Sequence, residues 1–558
     1  MYIIISSLVT SLNSQNMAAS PKSIQNIVTC FLGVFFLIDS SSAETAPYTS
    51  FAKKATSAPS RGYYDYIIIG GGTAGCPLAA TLSASAKVLL LERGGLPYDN
   101  PNVVHATGFL RLLTDPSPDS AAQLFISNDG VFNHRARVLG GGSAVNAGFY
   151  TRASSDYVNR VGWAPRRVKA SYEWVERKVA FPPKLRKWQA AVRDGLLDAG
   201  VLPDNGFTYE HLHGTKIGST IFDQNGIRHT AADLLEYAHP NNITVYFHAT
   251  VHQILFTTSP GKRRKAYGAL FKDSEGNVHM AYLNKGSRNE IIVSAGALGS
   301  PQLLMLSGIG PGPKLKAHGI QVVLDQPMVG QGMSDNPFNG FVIPSRKHVE
   351  PSLVQVVGIT DIGFFIEAVN GQFDPSSLFT SATTQTKSHG LIMGKVAGPF
   401  SRGYMELDSR NPNDSPSVTF NYFNDSRDLH KCVQGMEILK RVVKSQPISQ
   451  FRYPNSTIQS LLKYTLSVPL NLRTRHKSAA YNMEQYCKDT VATIWHYHGG
   501  CQVNRVVDRH YRVLGVDALR VVDGSTFSYS PGTNPQATVM MLGRYMGRII
   551  LKQRHRKK

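Results

Sequence analysis

The sequence predicts an α/β fold with a parallel β-sheet, and three observations support this. A β-branched strand, a glycine-rich turn, a helix and a second strand follow one another within about thirty residues after Tyr63. A second strand-to-helix unit, "EIIVSAGALGSPQLLMLSGIG", occupies residues 290–310. The chain has 558 residues, of which 42% are hydrophobic, enough for two or three ordinary domains or one large two-lobed protein.

The N-terminal segment has the layout of a secretory signal. An apolar run, "IVTCFLGVFFLI" (27–38), follows Lys22 and precedes small residues. We expect cleavage near Ala43 and consider Met17 the true start, so residues 1–43 are predicted to be signal peptide. Residues 44–62, rich in Ser, Ala and Thr, are predicted to be a linker. The run is too short to span a bilayer comfortably, so we expect a secreted protein without a membrane span.

The positive charge is spread along the chain. The net charge is +21, with small clusters such as "KRRK" (262–265) and a basic tail at 554–558. A basic balance can indicate a nucleic acid or an anionic polymer as partner. No zinc-finger, RNP or basic-zipper pattern accompanies the charge, so we interpret it as solvated surface and predict no nucleic-acid partner.

The segment "YYDYIIIGGGTAGCPLAATLSASAKVLLLER" (63–93) predicts a dinucleotide site. Gly70, Gly72 and Gly75 form GxGxxG between a strand and a helix, where backbone N–H groups can approach a pyrophosphate. Glu92 ends the next strand and can accept hydrogen bonds from ribose hydroxyls. A carboxylate there disfavours NADP, but the motif leaves NAD and FAD both open.

Further motifs carry a family resemblance. "RARVLGGGSAVNAGFYTRAS" (135–154) and "GALGSPQLLMLSGIG" (296–310) resemble the two signature motifs of the glucose–methanol–choline (GMC) oxidoreductases. "VGQGMSDNP" (329–337) and "LRVVDGSTF" (519–527) also look like family segments. "IWHYHGGC" (494–501) and "PGTNPQATVMMLGRYMG" (531–547) are most similar to the plant HOTHEAD-like and mandelonitrile-lyase-like branch.

The resemblance implies a two-lobed α/β (α+β) fold. A Rossmann-like FAD-binding domain would comprise residues 63–155, 225–340 and 488–553. A substrate domain, an antiparallel sheet capped by helices, would comprise residues 156–224 and 341–487. We expect a monomer.

The resemblance also implies which residues lie close to FAD. Some members attach the flavin through a histidine before the asparagine of "VNAG", but Val145 stands there, so we expect FAD to be non-covalent. The predicted cofactor contacts are Gly70, Gly72, Thr73, Ala74, Gly75, Glu92, Arg93, Val138, Ser143, Asn146, Ala147, Gly148, Phe149, Val251, Trp495, His496, Asp523, Gly524, Asn534, Pro535 and Gln536.

The stretch "IWHYHGGC" holds the predicted base. The family's active-site histidine aligns with His496, and its partner position is Asn534. Imidazole titrates near neutrality and can accept the alcohol proton, whereas the Asn534 amide can only hold the oxygen in place. Asn534 and Pro535 are also a normal helix start, and both interpretations can hold together. His498 is predicted to be structural, and no carboxylate or thiolate cluster accompanies the two histidines, so we predict no metal.

The cysteines and sequons match a secreted protein. By resemblance to the lyase-like branch, Cys432 and Cys487 would form a disulfide, while Cys76 is predicted to be a buried small side chain. Asn242, Asn424 and Asn455 are predicted glycosylation sites.

The resemblance implies an FAD-dependent oxidation of a primary alcohol, with hydride transfer to flavin N5 and with O₂ or another electron acceptor. The HOTHEAD-like branch favours a long-chain ω-hydroxy fatty acid as the small-molecule substrate and the cell wall or apoplast as the location. A hydroxynitrile lyase that uses FAD without net redox is the alternative, although Ile494 and Asn534 stand where that branch tends to carry Tyr and His. A non-catalytic extracellular flavoprotein is the third hypothesis.

Overall fold

The structure is a computed structural model that describes residues 47–257, 263–347, 350–372, 388–532 and 534–555. The predicted signal peptide lies outside the described residues, as do parts of the "KRRK" cluster and the basic tail. The described residues from Ser50 onward form one compact unit. The two large β-sheets described below both belong to this unit. The unit therefore does not divide the chain into an FAD-binding and a substrate domain, and the predicted domain boundaries stay predictions.

A six-stranded parallel sheet is present, as predicted, and we call the part of the protein around it the nucleotide half, after the predicted FAD-binding domain. Strands Tyr66–Ile69 and Val88–Leu91 pair in parallel at its centre, and all their residues are buried. Such double burial explains why both read as continuous apolar runs. The spatial order is Ala52–Lys54, Ile243–Phe247, Val88–Leu91, Tyr66–Ile69, Glu290–Val293 and Leu519–Val521.

Part of the predicted linker belongs to sheets. Ala52–Lys54 pairs with Val245–Phe247, and Arg61–Tyr64 pairs with Met280–Leu283, both in parallel. Edge pairing uses backbone hydrogen bonds and needs little from the side chains, so a segment of low complexity can still form a strand. The second pairing lies in a mixed sheet whose other strands are Thr250–Thr257, Arg264–Lys272, Val278–Leu283 and Val516–Asp517.

A seven-stranded, mainly antiparallel sheet is present, as predicted, and we call the part of the protein around it the substrate half, after the predicted substrate domain. Its longest pairing joins Phe364–Gln372 to Ser388–Val396, although residues 373–387 between them lie outside the described residues. The spatial order is Ala492–Thr493, Pro337–Pro344, Ser388–Val396, Phe364–Gln372, Val356–Ile359, Gly214–Ile217 and Asp204–Phe207.

Smaller strand pairings complete the β-structure. These are Ala122–Ile126 with Phe132–Ala136, Phe149–Tyr150 with Ser219–Thr220, Ile309–Gly310 with Leu324–Asp325, and Gln331–Met333 with Gly403–Glu406 and then Ser417–Thr419.

Helices cover both sheets. Gly75–Leu82 follows the glycine turn, and Gln536–His555 packs against it. The other α-helices of the described chain are Pro101–Val104, Phe109–Leu113, Gly142–Val145, Ser155–Arg160, Pro165–Val179, Lys187–Asp198, Gly296–Leu306, Gly312–Ala317, Ser426–Lys444, Gln446–Ser449, Ile458–Ser467 and Met483–Thr490. Within the described ranges, no helix has the length and apolar content that a membrane crossing requires.

The predicted disulfide is confirmed. Cys432 on helix Ser426–Lys444 is bonded to Cys487 on helix Met483–Thr490, and this bond ties two helices of the substrate half together. Cys76 is free and fully buried, in the packing role predicted for it.

The three sequons differ in exposure. Asn424 and Asn455 are solvent-exposed, whereas Asn242 is half-buried and its Nδ2 donates to the Ser83 carbonyl oxygen at 2.9 Å. Because Nδ2 is the atom that a glycan would modify, Asn424 and Asn455 are the better acceptors.

Candidate active site

The glycine turn brings three backbone segments into close contact. A Cβ on Gly75 would lie 2.0 Å from the Gly70 carbonyl oxygen, and one on Gly70 would lie 2.4 Å from that of Ser294. Gly70 also has φ of +102°, which favours glycine. The turn therefore exposes backbone at the C-terminal edge of the parallel sheet, where ligands of such sheets bind.

Glu92 lies at the same edge. Its Oε2 accepts from Gly71 N at 2.9 Å, and its Oε1 accepts from Gly94 N at 2.7 Å. Burial raises the pKa of this carboxyl group, while these two N–H donors oppose the shift. The carboxylate is thus fixed by backbone on one side and lines the cavity described next.

A cavity of about 310 Å³ runs between the two halves of the protein. Most of the predicted cofactor contacts line it. These are Gly70, Gly72, Thr73, Ala74, Glu92, Arg93, Val138, Asn146, Ala147, Gly148, Phe149, Val251, Trp495, His496, Asp523, Gly524, Asn534, Pro535 and Gln536.

Two predicted contacts lie behind this surface. Gly75 packs against Gly70, as described above. Ser143 is fully buried; its hydroxyl donates to the Gly140 carbonyl oxygen at 2.7 Å and accepts from Ala231 N at 2.9 Å. Both support the wall of the cavity from outside it.

Asn146 lines the cavity and is held by hydrogen bonds at both ends of its carboxamide. Its Nδ2 donates to Gln536 Oε1 at 2.9 Å, and its Oδ1 accepts from Gly148 N at 2.9 Å. The buried Arg228 donates to the Asn146 carbonyl oxygen at 2.6 Å and lies over the Phe222 ring. No carboxylate among the described residues pairs with Arg228, so carbonyl oxygens solvate its charge.

Asp335 anchors the loop that carries His496. This buried carboxylate accepts from His496 N at 2.9 Å and from the hydroxyls of Thr493 and Tyr422, each at 2.6 Å. Burial raises its pKa to about 6. Ser334 and His498 also exchange two backbone hydrogen bonds, so the segment "VGQGMSDNP" supports the His496 loop from behind.

The His496 side chain is buried on the cavity wall. Burial lowers its pKa well below the usual value, and the nearby Lys395 and His498 act in the same direction. Its Nδ1 has no hydrogen-bond partner among the described residues. A neutral imidazole on a cavity wall has a ring nitrogen whose lone pair can accept a proton.

His498 faces away from this role. Its Nδ1 donates to the His496 carbonyl oxygen at 3.0 Å, and it does not line the cavity. In the described part of the chain, no group of three His, Cys, Asp or Glu residues is arranged to hold a metal ion.

Asn534 lies on the cavity beside two buried charges. Lys395 Nζ donates to Asn534 Oδ1 at 2.9 Å and contacts Glu367 Oε2 at 3.2 Å. Glu367 itself lines the cavity. The sequence did not predict this pair, although a single charge in each of the apolar segments "FFIEAV" and "LIMGKV" could have indicated it.

Two arginines, the half-buried Arg93 and the buried Arg135, form a cationic wall. Arg93 and Arg135 both line the cavity, and burial lowers the pKa of Arg93 to about 10. Arg135 donates to Gln302 Oε1 at 2.7 Å. Arg135 was not predicted as a site residue, although it is the first residue of the motif "RARVLGGGSAVNAGFYTRAS", because the resemblance supplied no role for this position.

The cavity fits FAD. Arg93 Nη1, Trp495 Nε1 and His496 Nδ1 are buried atoms on the cavity residues that have no partner in the described chain. A ligand with phosphate, carbonyl and ring-nitrogen groups would satisfy atoms of this kind. The glycine turn, Glu92 and Arg93 would hold its nucleotide end, and Asn146, His496 and Asn534 would lie beside its reactive end.

The sequence matches the family described as GMC oxidoreductase over residues 64–338 and again over residues 399–543. It is similar to Protein HOTHEAD of Arabidopsis thaliana, with 49% identity over 526 residues that cover 88% of each chain. A second Arabidopsis thaliana protein, (R)-mandelonitrile lyase-like, is 49% identical and covers 91% of this chain and 93% of its own.

Two further proteins extend the comparison. Sinalpyl alcohol oxidase Nec3 of Nesocodon mauritianus is 40% identical, covering 93% of this chain and 94% of its own. Among solved structures, a variant of the formate oxidase of Aspergillus oryzae superposes with a TM-score of 0.74 at 19% identity, covering 89% of this chain and 99% of its own. At that identity the superposition supports the fold alone.

Proposed function

The chain belongs to the GMC oxidoreductase family, FAD-dependent enzymes that act on alcohol groups, and we propose that it oxidises a primary alcohol to an aldehyde with His496 as base. The observation that carries this proposal is the buried, neutral His496, which has an unpaired ring nitrogen and lies on the same cavity as the nucleotide cradle.

His496 would accept the proton of the substrate hydroxyl. FAD, when bound, supplies the hydride acceptor. Because burial lowers the pKa of His496, the imidazole is neutral at neutral pH and its ring nitrogen carries a lone pair for the proton. Asp335 would hold the base in place through the backbone N–H of His496.

Asn534 would bind the substrate oxygen. A carboxamide cannot act as a base at neutral pH, but its N–H groups can donate to an oxygen that gains negative charge. Asn534 and His496 line the same cavity from separate parts of the chain. Together they would fix the hydroxyl between a donor and an acceptor.

We propose that the substrate is apolar beyond its hydroxyl. Phe149, Leu113, Ile494 and Val539 line the cavity and can receive an alkyl or aryl group. The similarity to HOTHEAD favours a long-chain ω-hydroxy fatty acid. The similarity to Nec3, whose name states an alcohol oxidase, supports oxidation and O₂ as acceptor.

We also propose secretion. The signal-like residues 1–43, the disulfide and the exposed sequons at Asn424 and Asn455 all suit an oxidising extracellular compartment such as the cell wall or apoplast. The glycan at these positions and the cleavage near Ala43 are both measurable by mass spectrometry of the secreted protein.

An anaerobic titration tests the function. Primary alcohols of increasing chain length are mixed with the yellow holoprotein, and flavin absorbance is followed. We expect bleaching by alcohols, and His496→Ala should slow it by roughly two to four orders of magnitude while flavin stays bound. Bleaching at the wild-type rate in that variant would remove His496 from the mechanism.

Hydroxynitrile cleavage is the second candidate, supported by the 49% identity to the mandelonitrile lyase-like protein. The same imidazole could deprotonate a cyanohydrin. Release of aldehyde and cyanide from mandelonitrile, with no alcohol able to bleach the flavin, would favour the lyase. The sequence departures at Ile494 and Asn534 support oxidation instead.

A further inference from the structure

Two buried charges lie next to the site on one face of the antiparallel sheet. Lys395 is paired directly with Phe365, and Glu367 with Met393, so Lys395 and Glu367 are diagonal neighbours across the strands. Both side chains are only 2% exposed. The Lys395 ammonium also lies over the Phe365 ring, 4.3 Å from its centroid.

The opposite face of this strand pair is committed to packing. A Cβ on Gly394 would meet Phe364 at 1.9 Å, and one on Gly435 of helix Ser426–Lys444 would meet the same ring at 2.3 Å. The alternation of a strand therefore directs Lys395 and Glu367 away from that helix. They point to the side on which Glu367 reaches the cavity.

The pair determines how the Asn534 carboxamide is turned. An ammonium has only donors, so Lys395 Nζ, at 2.9 Å, selects the carboxamide oxygen. A carboxylate has only acceptors, so Glu367 Oε2, at 3.4 Å, selects the carboxamide nitrogen. Both partners favour the same orientation, and a flip would set donor against donor and acceptor against acceptor.

The second N–H of Asn534 has no acceptor among the described residues, and Asn534 lines the cavity. We propose that Lys395 and Glu367 are positioning residues that lock the Asn534 carboxamide so that it offers an N–H donor, never its oxygen, to the substrate oxygen. This inference rests on the proposed alcohol chemistry and assigns the pair an indirect role in it.

The main alternative is a direct charge effect on His496. The charged or titratable groups that face His496 are Lys395, His498 and Asp335, the last through the backbone N–H. If Lys395 acted only through its charge, its effect would not depend on whether Asn534 is present. If it acts through Asn534, its effect must vanish when the carboxamide is removed.

The test is a double-mutant cycle on the holoenzyme. Replacing Lys395 alone would leave a buried unpaired carboxylate, so both charges are removed together as Lys395→Met with Glu367→Gln. This pair of changes is made in the Asn534 protein and in the Asn534→Ala background. Flavin content and melting temperature show that each protein is folded and loaded.

Two readouts are used. The first is the rate constant of anaerobic flavin bleaching by a primary alcohol. The second is the dissociation constant of tert-butanol, which has a hydroxyl but no hydride to give, followed by its effect on the flavin spectrum. The second readout does not depend on oxidation, so it separates failure of this inference from failure of the proposed function.

We expect the charge-pair variant to lose roughly 10- to 100-fold in bleaching rate, less than the roughly 100- to 1,000-fold cost of removing an oxyanion donor outright. In the Asn534→Ala background the same change should cost less than about threefold. Tert-butanol affinity should show the same dependence on background.

Lys216→Met is the matched control. Lys216 is a second fully buried lysine; its Nζ donates to Thr151 Oγ1 at 2.9 Å and to the Glu210 carbonyl oxygen, and it makes no contact with Asn534. Its penalty should be equal in both backgrounds.

Equal penalties for the charge-pair variant in both backgrounds, in either readout, would overturn the inference. A wild-type protein that neither bleaches with alcohols nor binds tert-butanol would overturn it too, because Asn534 would then have no alcohol oxygen to hold. If alcohols did not bleach the flavin, but tert-butanol still bound and its affinity still showed the dependence on background, only the proposed oxidation would be overturned.

Discussion

His498 should make the protein sensitive to acid. Its imidazole is 2% exposed, and its Nε2 has no partner in the described chain. Burial lowers its pKa to about 4; the His496 carbonyl oxygen opposes the shift and Arg402 adds to it. In the unfolded chain the same side chain titrates near 6.5. We predict that His498→Asn removes this acid sensitivity, because an Asn amide can still donate to the His496 carbonyl oxygen.

The direction and size of this effect on stability follow from proton linkage. As the pH falls below 6.5, His498 binds a proton in the unfolded chain, whereas in the folded protein it stays neutral until about pH 4. The stability from this group is therefore complete above 6.5 and is lost as the pH falls. Between pH 7 and pH 5 the loss is about 2 kcal/mol for this shift. With an unfolding entropy of about 1 kcal/mol/K for roughly 500 residues, this corresponds to about 2 °C in Tm.

The assay is thermal unfolding of the holoprotein at the two pH values, followed by release of flavin fluorescence. The Tm of the wild type should fall about 2 °C further than that of His498→Asn on going from pH 7 to pH 5. His430→Asn, at an exposed position of helix Ser426–Lys444, is the control and should respond as the wild type does. Identical pH responses of wild type and His498→Asn would refute the reasoning.

Two further substitutions test the anchor and the disulfide. Asp335→Asn puts an amide N–H group where a carboxylate oxygen now accepts a hydrogen bond from Thr493 or His496. We expect kcat to fall roughly 10- to 100-fold while the flavin is retained. An unchanged kcat would show that Asp335 does not position His496. Cys432→Ser with Cys487→Ser removes the disulfide that closes a loop of 55 residues. This should lower the free energy of unfolding by about 4 kcal/mol and the Tm by about 4 °C. An unchanged Tm under non-reducing conditions would contradict this.

The nucleotide half could be predicted from sequence because its determinants are local. Gly70, Gly75 and Glu92 lie within one strand–helix–strand unit, and each satisfies a backbone constraint set by its neighbours. Order along the chain was enough to place them on one surface. The strands within residues 44–62 were not predicted from sequence, because edge strands such as Ala52–Lys54 show no alternation of apolar and polar residues.

The surroundings of His496 and Asn534 were predicted only in part. Both residues were proposed through the family motifs around them, not through their own chemistry. Ser143 shows the limit of such carry-over: it was predicted as a cofactor contact, but its hydroxyl turns to Gly140 and Ala231 behind the wall. Asp335 lay inside a recognised segment, yet its role depends on Tyr422, which is 87 residues distant in sequence.

The charge pair shows why long-range register is needed. Lys395 and Glu367 approach each other only because Phe365 pairs with Lys395 and Glu367 with Met393. A slip of one residue in either strand would turn that strand's charge toward the face that packs on helix Ser426–Lys444. Such a state is unfavourable, since an isolated buried charge costs several kcal/mol. The pair therefore helps to specify the register that places it, and the same register delivers the ammonium to Asn534, which is 139 residues away in sequence.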